Sequence, residues 1–189
     1  MSSILIFNGS PKDKGNTDIL IEWFIEGSKN ADNTIEEIQI SKLNSKVNGC
    51  ASCRVCQNSR EYGCVIKDDV SDAVKKMANA DVIVFATPLY FFSMSAQMKI
   101  IIDRMFSLYK WDNDSGTMKT CLKAKKMILL ASAFEDIGLD VLEAPFKLTA
   151  EYTGMPFSSV LAANAGTSGE IINRDDVREK VICLGKSLC

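Results

Sequence analysis

Histidine is missing from all 189 residues. Its absence removes Ser–His and Cys–His nucleophile pairs and every metal site built on imidazole. A basic block is missing too: 22 Lys and Arg stand against 24 Asp and Glu, a net charge of −2. That balance argues against nucleic acid or an anionic membrane as the main partner. No apolar run approaches the ~18 residues of a membrane span, and Met1-Ser2-Ser3 leads into a strand-like segment rather than a secretory leader. The expected location is therefore the cytoplasm, where a reducing medium suits seven cysteines. The length fits one domain (1–189), which can bury roughly 70% of its unfolded surface without disulfide staples. There is no repeat, low-complexity segment or interdomain linker.

What is present is an alternation of strand and helix periods. Strand signals fall at Ser3–Phe7, Thr34–Gln39, Asp81–Ala86, Lys126–Ala131 and Phe157–Ala163. The runs D-V-I-V-F-A and K-M-I-L-L-A are apolar throughout, as in strands covered on both faces. Helical stripes lie over Asp18–Ser28 (Leu20, Trp23, Phe24, Gly27), over Ser95–Tyr109 (Met98, Ile101, Ile102, Met105, Tyr109) and from about Asp175 (Val177, Val181, Leu184, Leu188). A shorter helix opens at Asp68-Asp69 and closes at Met77-Ala78. Another, between Gly138 and Thr153, is kinked by Pro145 or begins there. Five β-then-α units predict an α/β fold: a flavodoxin-like, doubly wound five-stranded parallel sheet, order 2-1-3-4-5, with helices on both faces. Ligands then sit beyond the carboxyl ends of strands 1 and 3.

Three loops are placed there. The first is N-G-S-P-K-D-K-G-N-T, Asn8 to Thr17. Free amides at the following helix start, hydroxyls of Ser10 and Thr17, the Asn16 amide, Gly9 and Gly15 for close approach, and Lys12 and Lys14 at the rim suit a phosphate. The glycine offsets match neither the dinucleotide fingerprint nor the Walker A loop, which leaves a mononucleotide, best a flavin mononucleotide (FMN). An ordinary turn capped by Asn16 or Thr17 is the plainer alternative. The second loop, Thr87 to Ser95, carries Pro88, Leu89, Tyr90, Phe91 and Phe92, too many large apolar groups for a plain surface turn. They suit a flat aromatic ligand, or packing beneath the loop or at a subunit interface; Tyr90 is expected at the ring and Phe92 elsewhere. The third, Ser132-Ala133-Phe134-Glu135-Asp136, reaches the ring's far side.

A cysteine-rich insert at about 40–64 carries Cys50, Cys53 and Cys56, with Cys64 closing a C-x2-C-x2-C-x7-C pattern. Three thiolates at two-residue gaps plus a fourth nearby resemble ferredoxin-type [4Fe–4S] ligation more than zinc, which favours two separated C-x2-C pairs. Arg54 and Lys67 are placed to stabilise thiolates. Free thiols in a cap over the flavin, or a redox dithiol of Cys53 and Cys56, are the other readings. Cys121, Cys183 and Cys189 read as core or tail residues.

The runs N-G-S-P-x(4)-N-T, G-C-A-S-C-R-V-C…C-V-I-K-D-D-V and A-D-V-I-V-F-A-T-P-L-Y-F-F-S-M-S-A-Q-M-K-I-I-I-D-R together resemble the NADPH-dependent FMN reductase and iron–sulfur flavoprotein families, from the N-terminus to about Arg104. The tail, with G-T-S-G-E-I, is similar but weaker. The resemblance implies a flavodoxin-like fold, tightly bound FMN and a homodimer or homotetramer with flavin near a subunit boundary. It also implies that Ser10, Lys12, Asn16 and Thr17 hold the phosphate while Pro88, Leu89, Tyr90 and Phe91 line the isoalloxazine. The four cysteines match the compact motif of the iron–sulfur branch, with an x7 gap at its long end. In Asp103-Arg104, residue chemistry alone suggests an exposed helix salt bridge, and the resemblance a dimer interface. The expected activity is that of an FMN-dependent NAD(P)H oxidoreductase. Electrons pass to a small aromatic or quinone-like acceptor or to a redox protein. The rival is an electron carrier using FMN and a [4Fe–4S] cluster without nicotinamide chemistry. More distant is a metal- or thiol-sensing module on the same scaffold.

Overall fold

The computed structural model describes residues 1–29, 32–112 and 114–188. Five strands lie parallel: β1 (Ser3–Asn8), β2 (Thr34–Gln39), β3 (Val82–Tyr90), β7 (Lys126–Ser132) and β8 (Phe157–Ala162), in the order β2-β1-β3-β7-β8. Counted along the chain that is the predicted 2-1-3-4-5. Side chains alternate across the sheet, so each strand feeds two cores. Leu5, Phe7, Ile83, Phe85 and Leu129 face α3 (Asp69–Lys76), α4 (Ala96–Arg104) and α5 (Leu139–Thr153). Ile4, Ile6, Val82, Val84 and Leu130 face α1 (Asn16–Ser28) and α6 (Asp175–Lys186). Burial on both sides is why β3 and β7 read as unbroken apolar runs.

α1 and α6 touch backbone to backbone. A Cβ on Gly27 would lie 2.3 Å from the Ile182 carbonyl oxygen, and one on Gly185 2.6 Å from that of Phe24. Pro145 sits inside α5 rather than at its start; Gly138, at φ +80, precedes the first turn. The start at Pro145 is therefore replaced by one at Leu139.

Two segments depart from expectation. β3 runs on through Tyr90, turns at Phe91-Phe92 and returns as β4 (Ser93–Met94), pairing Tyr90 with Ser93. Both turn residues have positive φ, +48 and +64, the pattern of a type I′ hairpin that Asn and Gly normally supply. Two phenylalanines there are strained.

The helix predicted to reach Tyr109 ends at Arg104, followed by a 3-10 turn, Met105–Leu108, and then β5 (Tyr109–Asp112) paired with β6 (Thr117–Thr120). Donors from elsewhere in the chain meet the carbonyls of this turn. Gln57 Nε2 donates to Phe106 O (3.3 Å) and Tyr109 O (3.0 Å), Gly63 N to Ser107 O (3.0 Å), and Thr120 Oγ1 to Leu108 O (2.9 Å). These are the carbonyls that any helix ending at Tyr109 would leave without an intrahelical partner, so the bonds fasten the turn and the start of β5 to the cysteine segment and to β6.

Candidate active site

The β1–α1 loop is fixed from beneath. Asn8, fully buried, donates to Asp18 Oδ1 (2.6 Å) and Glu37 Oε1 (3.0 Å), and its own Oδ1 accepts from Ser10 N at 3.0 Å. Gly9 N extends the sheet to Ala86 O (2.8 Å). Ser95 caps α4, accepting from Met98 N at 3.1 Å, and donates to Gly9 O at 2.6 Å. A Cβ on Gly9 would stand 3.0 Å from Met98 and Ser95 Oγ, so this glycine serves loop-to-helix packing. Gly15 N donates to Asp18 Oδ2 (2.9 Å), so the third residue of α1 satisfies the amide just before the helix.

Beyond these strand ends lies a crevice of about 200 Å³. From the first loop Ser10, Lys12, Gly15, Asn16 and Thr17 line it; from the second Pro88, Leu89 and Tyr90; from the third Ala133 and Phe134. Phe91 and Glu135 do not: Phe91 is 96% exposed at the hairpin tip. Phe92 packs away from the crevice, where a Cβ on Gly138 would meet its ring at 2.5 Å. Sequence reasoning missed a fourth wall, the loop after β8, which contributes Ala165, Gly166 and Ser168; Ser132 of the third loop lines the crevice as well. The G-T-S-G-E-I run carried that signal. Glu170 Oε2 accepts from Thr167 N (2.8 Å) and Gly166 N (2.9 Å), and those bonds hold its carboxyl below the usual range. Phe134 lies over Gly166, with no room for a side chain there.

Asn16 is committed elsewhere. Its Nδ2 donates to Ala165 O (2.8 Å) and Thr167 O (2.9 Å), and its Oδ1 accepts from Ile171 N (3.3 Å), bolting α1 to the fourth loop. What remains for an anion is the open amide end of α1, the hydroxyl of Thr17 and the ammonium of Lys12, with the Ser10 hydroxyl free to turn from its long bond to Lys12 O (3.3 Å). These donors, under a wall of Pro88, Leu89, Tyr90 and Phe134, fit FMN: anion at the helix start, flat apolar ring against the wall.

The other end of α4, nine residues or about 14 Å away along its axis, carries the cysteine segment. Ser52 and Arg54 take left-handed φ (+53, +58), and a short helix, α2 (Val55–Asn58), follows. Cys50, Cys53, Cys56 and Cys64 all line one hollow of about 10 Å³, with Arg54 and Arg104. Lys67 instead lines a neighbouring cleft of about 490 Å³ with Cys56 and Cys64. Burial pushes the Cys56 thiol up; Gln57 works against this and the other three cysteines with it. Lys110 Nζ donates to Cys56 O (3.0 Å), Glu61 O (2.8 Å) and Ser59 O, so the unforeseen β5–β6 hairpin anchors the segment.

Arg104 is not in an exposed salt bridge. It is 1% exposed and pairs with Asp68 at 2.7 Å, while Asp103 pairs with Lys99. Burial works to raise the Asp68 pKa, but amide bonds from Lys46 and Ser71 and the charge of Arg104 hold it below the ordinary value. Among the described residues no three Cys, Asp or Glu groups converge on one metal ion. A lone zinc needs such convergence, whereas in a [4Fe–4S] cluster each thiolate takes its own iron. The four cysteines are the donor set of such a cluster, and the hollow between them, about 10 Å³, must widen to take it in. Cys121 is half-buried, its thiol 3.5 Å from Leu108 O, and Cys183 is exposed; Cys189 lies outside the described residues.

A larger cavity, about 1010 Å³, opens beside the cysteines, between α4 and α5. It holds Cys50, Arg54, Phe106, Tyr109, Leu148 and Tyr152, and none of the residues that line the crevice. Size alone does not make it the nucleotide site.

The profile of the NADPH-dependent FMN reductase family matches residues 2–167. An iron–sulfur flavoprotein of Methanocaldococcus jannaschii is 37% identical over 101 residues, 53% of this chain and 50% of that protein. The chain thus spans about half the length of the iron–sulfur flavoproteins it matches. A Bacillus subtilis protein, inferred to be an NAD(P)H-dependent FMN-containing oxidoreductase, is 24% identical over 172 residues, 89% of this chain and 88% of that one. The solved NAD(P)H:quinone oxidoreductase of Methanothermobacter marburgensis superposes with TM-score 0.78 at 19% identity, covering 100% of this chain and 99% of that one.

Proposed function

The chain belongs to the NADPH-dependent FMN reductase family, and on that premise we infer that it is an oxidoreductase taking electrons from NAD(P)H and passing them to a small aromatic or quinone-like acceptor. The observation that carries this reading is the convergence of four loops on one crevice, with hydroxyls and a helix start at one end and an apolar wall at the other. FMN, when bound, supplies the hydride chemistry. The chain supplies placement. Ser10, Thr17 and the amides of α1 hold the phosphate, and Lys12 balances its charge. Pro88, Leu89 and Tyr90 press on the ring, and Phe134 screens it from water. No acid or base side chain is needed, which agrees with a chain without histidine.

The exposed stripe of α5, Val141, Leu148 and Tyr152, supports a homodimer or homotetramer. In the second reading the chain is an electron carrier, with a [4Fe–4S] cluster on Cys50, Cys53, Cys56 and Cys64 and no nicotinamide step. The shared hollow of those four cysteines favours it. An anaerobic visible spectrum before and after NADPH separates the two. Flavin absorbance bleached by NADPH is expected. Iron near four per chain with no bleaching establishes the carrier, and failure to take up FMN on titration defeats both.

A further inference from the structure

Arg104 leaves one donor unused. Its Nε is buried and has no hydrogen-bond partner, the sole such side-chain nitrogen or oxygen found among the described residues. An unpaired guanidinium N–H in the interior is costly, and native structures seldom keep one without a use. The rest of the group is engaged. Nη2 donates to Asp68 Oδ1 (2.7 Å) and Ser71 Oγ (2.6 Å), while Nη1 and Nη2 stand 3.5 Å from the carbonyls of Gly49 and Ile66. Gly49 directly precedes Cys50, and Ile66 follows Cys64 by two residues, so one side chain spans both ends of the cysteine segment. Arg104 also lines the hollow that the four cysteines share.

We propose that Arg104 donates its Nε–H to a sulfur of the group held by Cys50, Cys53, Cys56 and Cys64, and thereby makes that group easier to reduce. The proposal rests on the cluster reading of those cysteines. Four thiolates around a [4Fe–4S] core form an anion whose negative charge grows on reduction, and hydrogen bonds to its sulfurs raise the potential. Asp68 fixes the guanidinium plane, so the outer nitrogens hold the loop and Nε is left for the sulfur. Lysine lacks that planar fork.

Two variants test this. R104K keeps a cation opposite Asp68 but loses Nε–H, and R104Q combined with D68N removes both charges, leaving no buried ion alone. Iron and acid-labile sulfide are counted after anaerobic reconstitution, and an EPR-monitored titration then gives the potential. Both variants are expected to load. Their reduction equilibrium should fall about tenfold against wild type, about 59 mV for a one-electron couple. A third measurement needs no Arg104 variant. With ¹⁵N-labelled arginine side chains, pulsed EPR of the reduced wild-type protein should show a nitrogen coupling that persists in R54K. Wild-type potentials in both variants, or no coupling in the loaded wild type, overturn the role of Arg104 and leave the cluster standing. A wild-type chain that takes up neither iron nor sulfide overturns both.

Discussion

The two ends of α4 were built by different means. At its N-terminus, Ser95 joins a crevice made of loops that follow parallel strands, each short and close in sequence to the strand that aims it. At its C-terminus, Arg104 joins a hollow whose cysteines come from one insert but whose fastenings come from α3, from the 3-10 turn after α4 and from the β5–β6 hairpin. The first end follows from sheet topology. The second depends on a few long-range polar contacts, so it should be the easier to dismantle selectively.

The largest effect is expected from Asp68→Ala, which strands the Arg104 charge and removes the α3 cap. Breaking a buried pair this way costs about 3–5 kcal/mol, readable as a lower urea midpoint. If FMN affinity is retained under conditions where the variant is folded, the two ends are separable; a matching loss of FMN would show them to be one unit. The converse is Ser10→Ala with Thr17→Val. Each lost bond to a charged phosphate is worth about 1.5–3 kcal/mol, so losing two should drop FMN affinity by about a hundredfold or more while the urea midpoint and iron uptake stay near wild type. Equal FMN affinity by titration would remove the phosphate role of both hydroxyls.

Phe91→Gly should act in the opposite direction. The side chain is exposed and its backbone left-handed, so relief of strain should stabilise by about 1 kcal/mol in thermal melts. A fall in stability would mean that Phe91 packs against a partner in solution. The smallest effect concerns acid. Asp68 and Glu170 are both held below their ordinary pKa values, one beside the cysteine segment and one beside the crevice. Their stabilisation is complete above about pH 4–4.5, where the free side chains ionise, and is lost as pH falls through the lowered native values. Amide exchange at decreasing pH should therefore loosen the cysteine segment more than the exposed Glu170 loop, and Asp68→Asn should abolish that difference.

Much of the crevice was legible because strand, loop and helix signals are local. Asn8 to Thr17 and Thr87 to Ser95 announced themselves by composition and by place after an apolar run. Phe91 was misplaced because a composition reading assigns large apolar residues to a ligand, whereas here two of them occupy the positive-φ corners of a hairpin. The fourth wall was overlooked because Ala165, Gly166 and Ser168 are small and bear no charge. Arg104 looked exposed because its helical neighbours Lys99 and Asp103 are polar, and the partner that buries it lies 36 residues away.

The chain's own order of residues determined the sheet, since apolar runs at period two and stripes at helical spacing encode which faces must leave water. It likewise set the four cysteines at gaps suited to one compact group. Only the folded molecule decided where α4 stops, which carbonyls the hairpin claims, and that a guanidinium rather than a methionine or leucine would lie beneath those cysteines. Such choices turn on donors and acceptors meeting across long stretches of chain, and no local period records them.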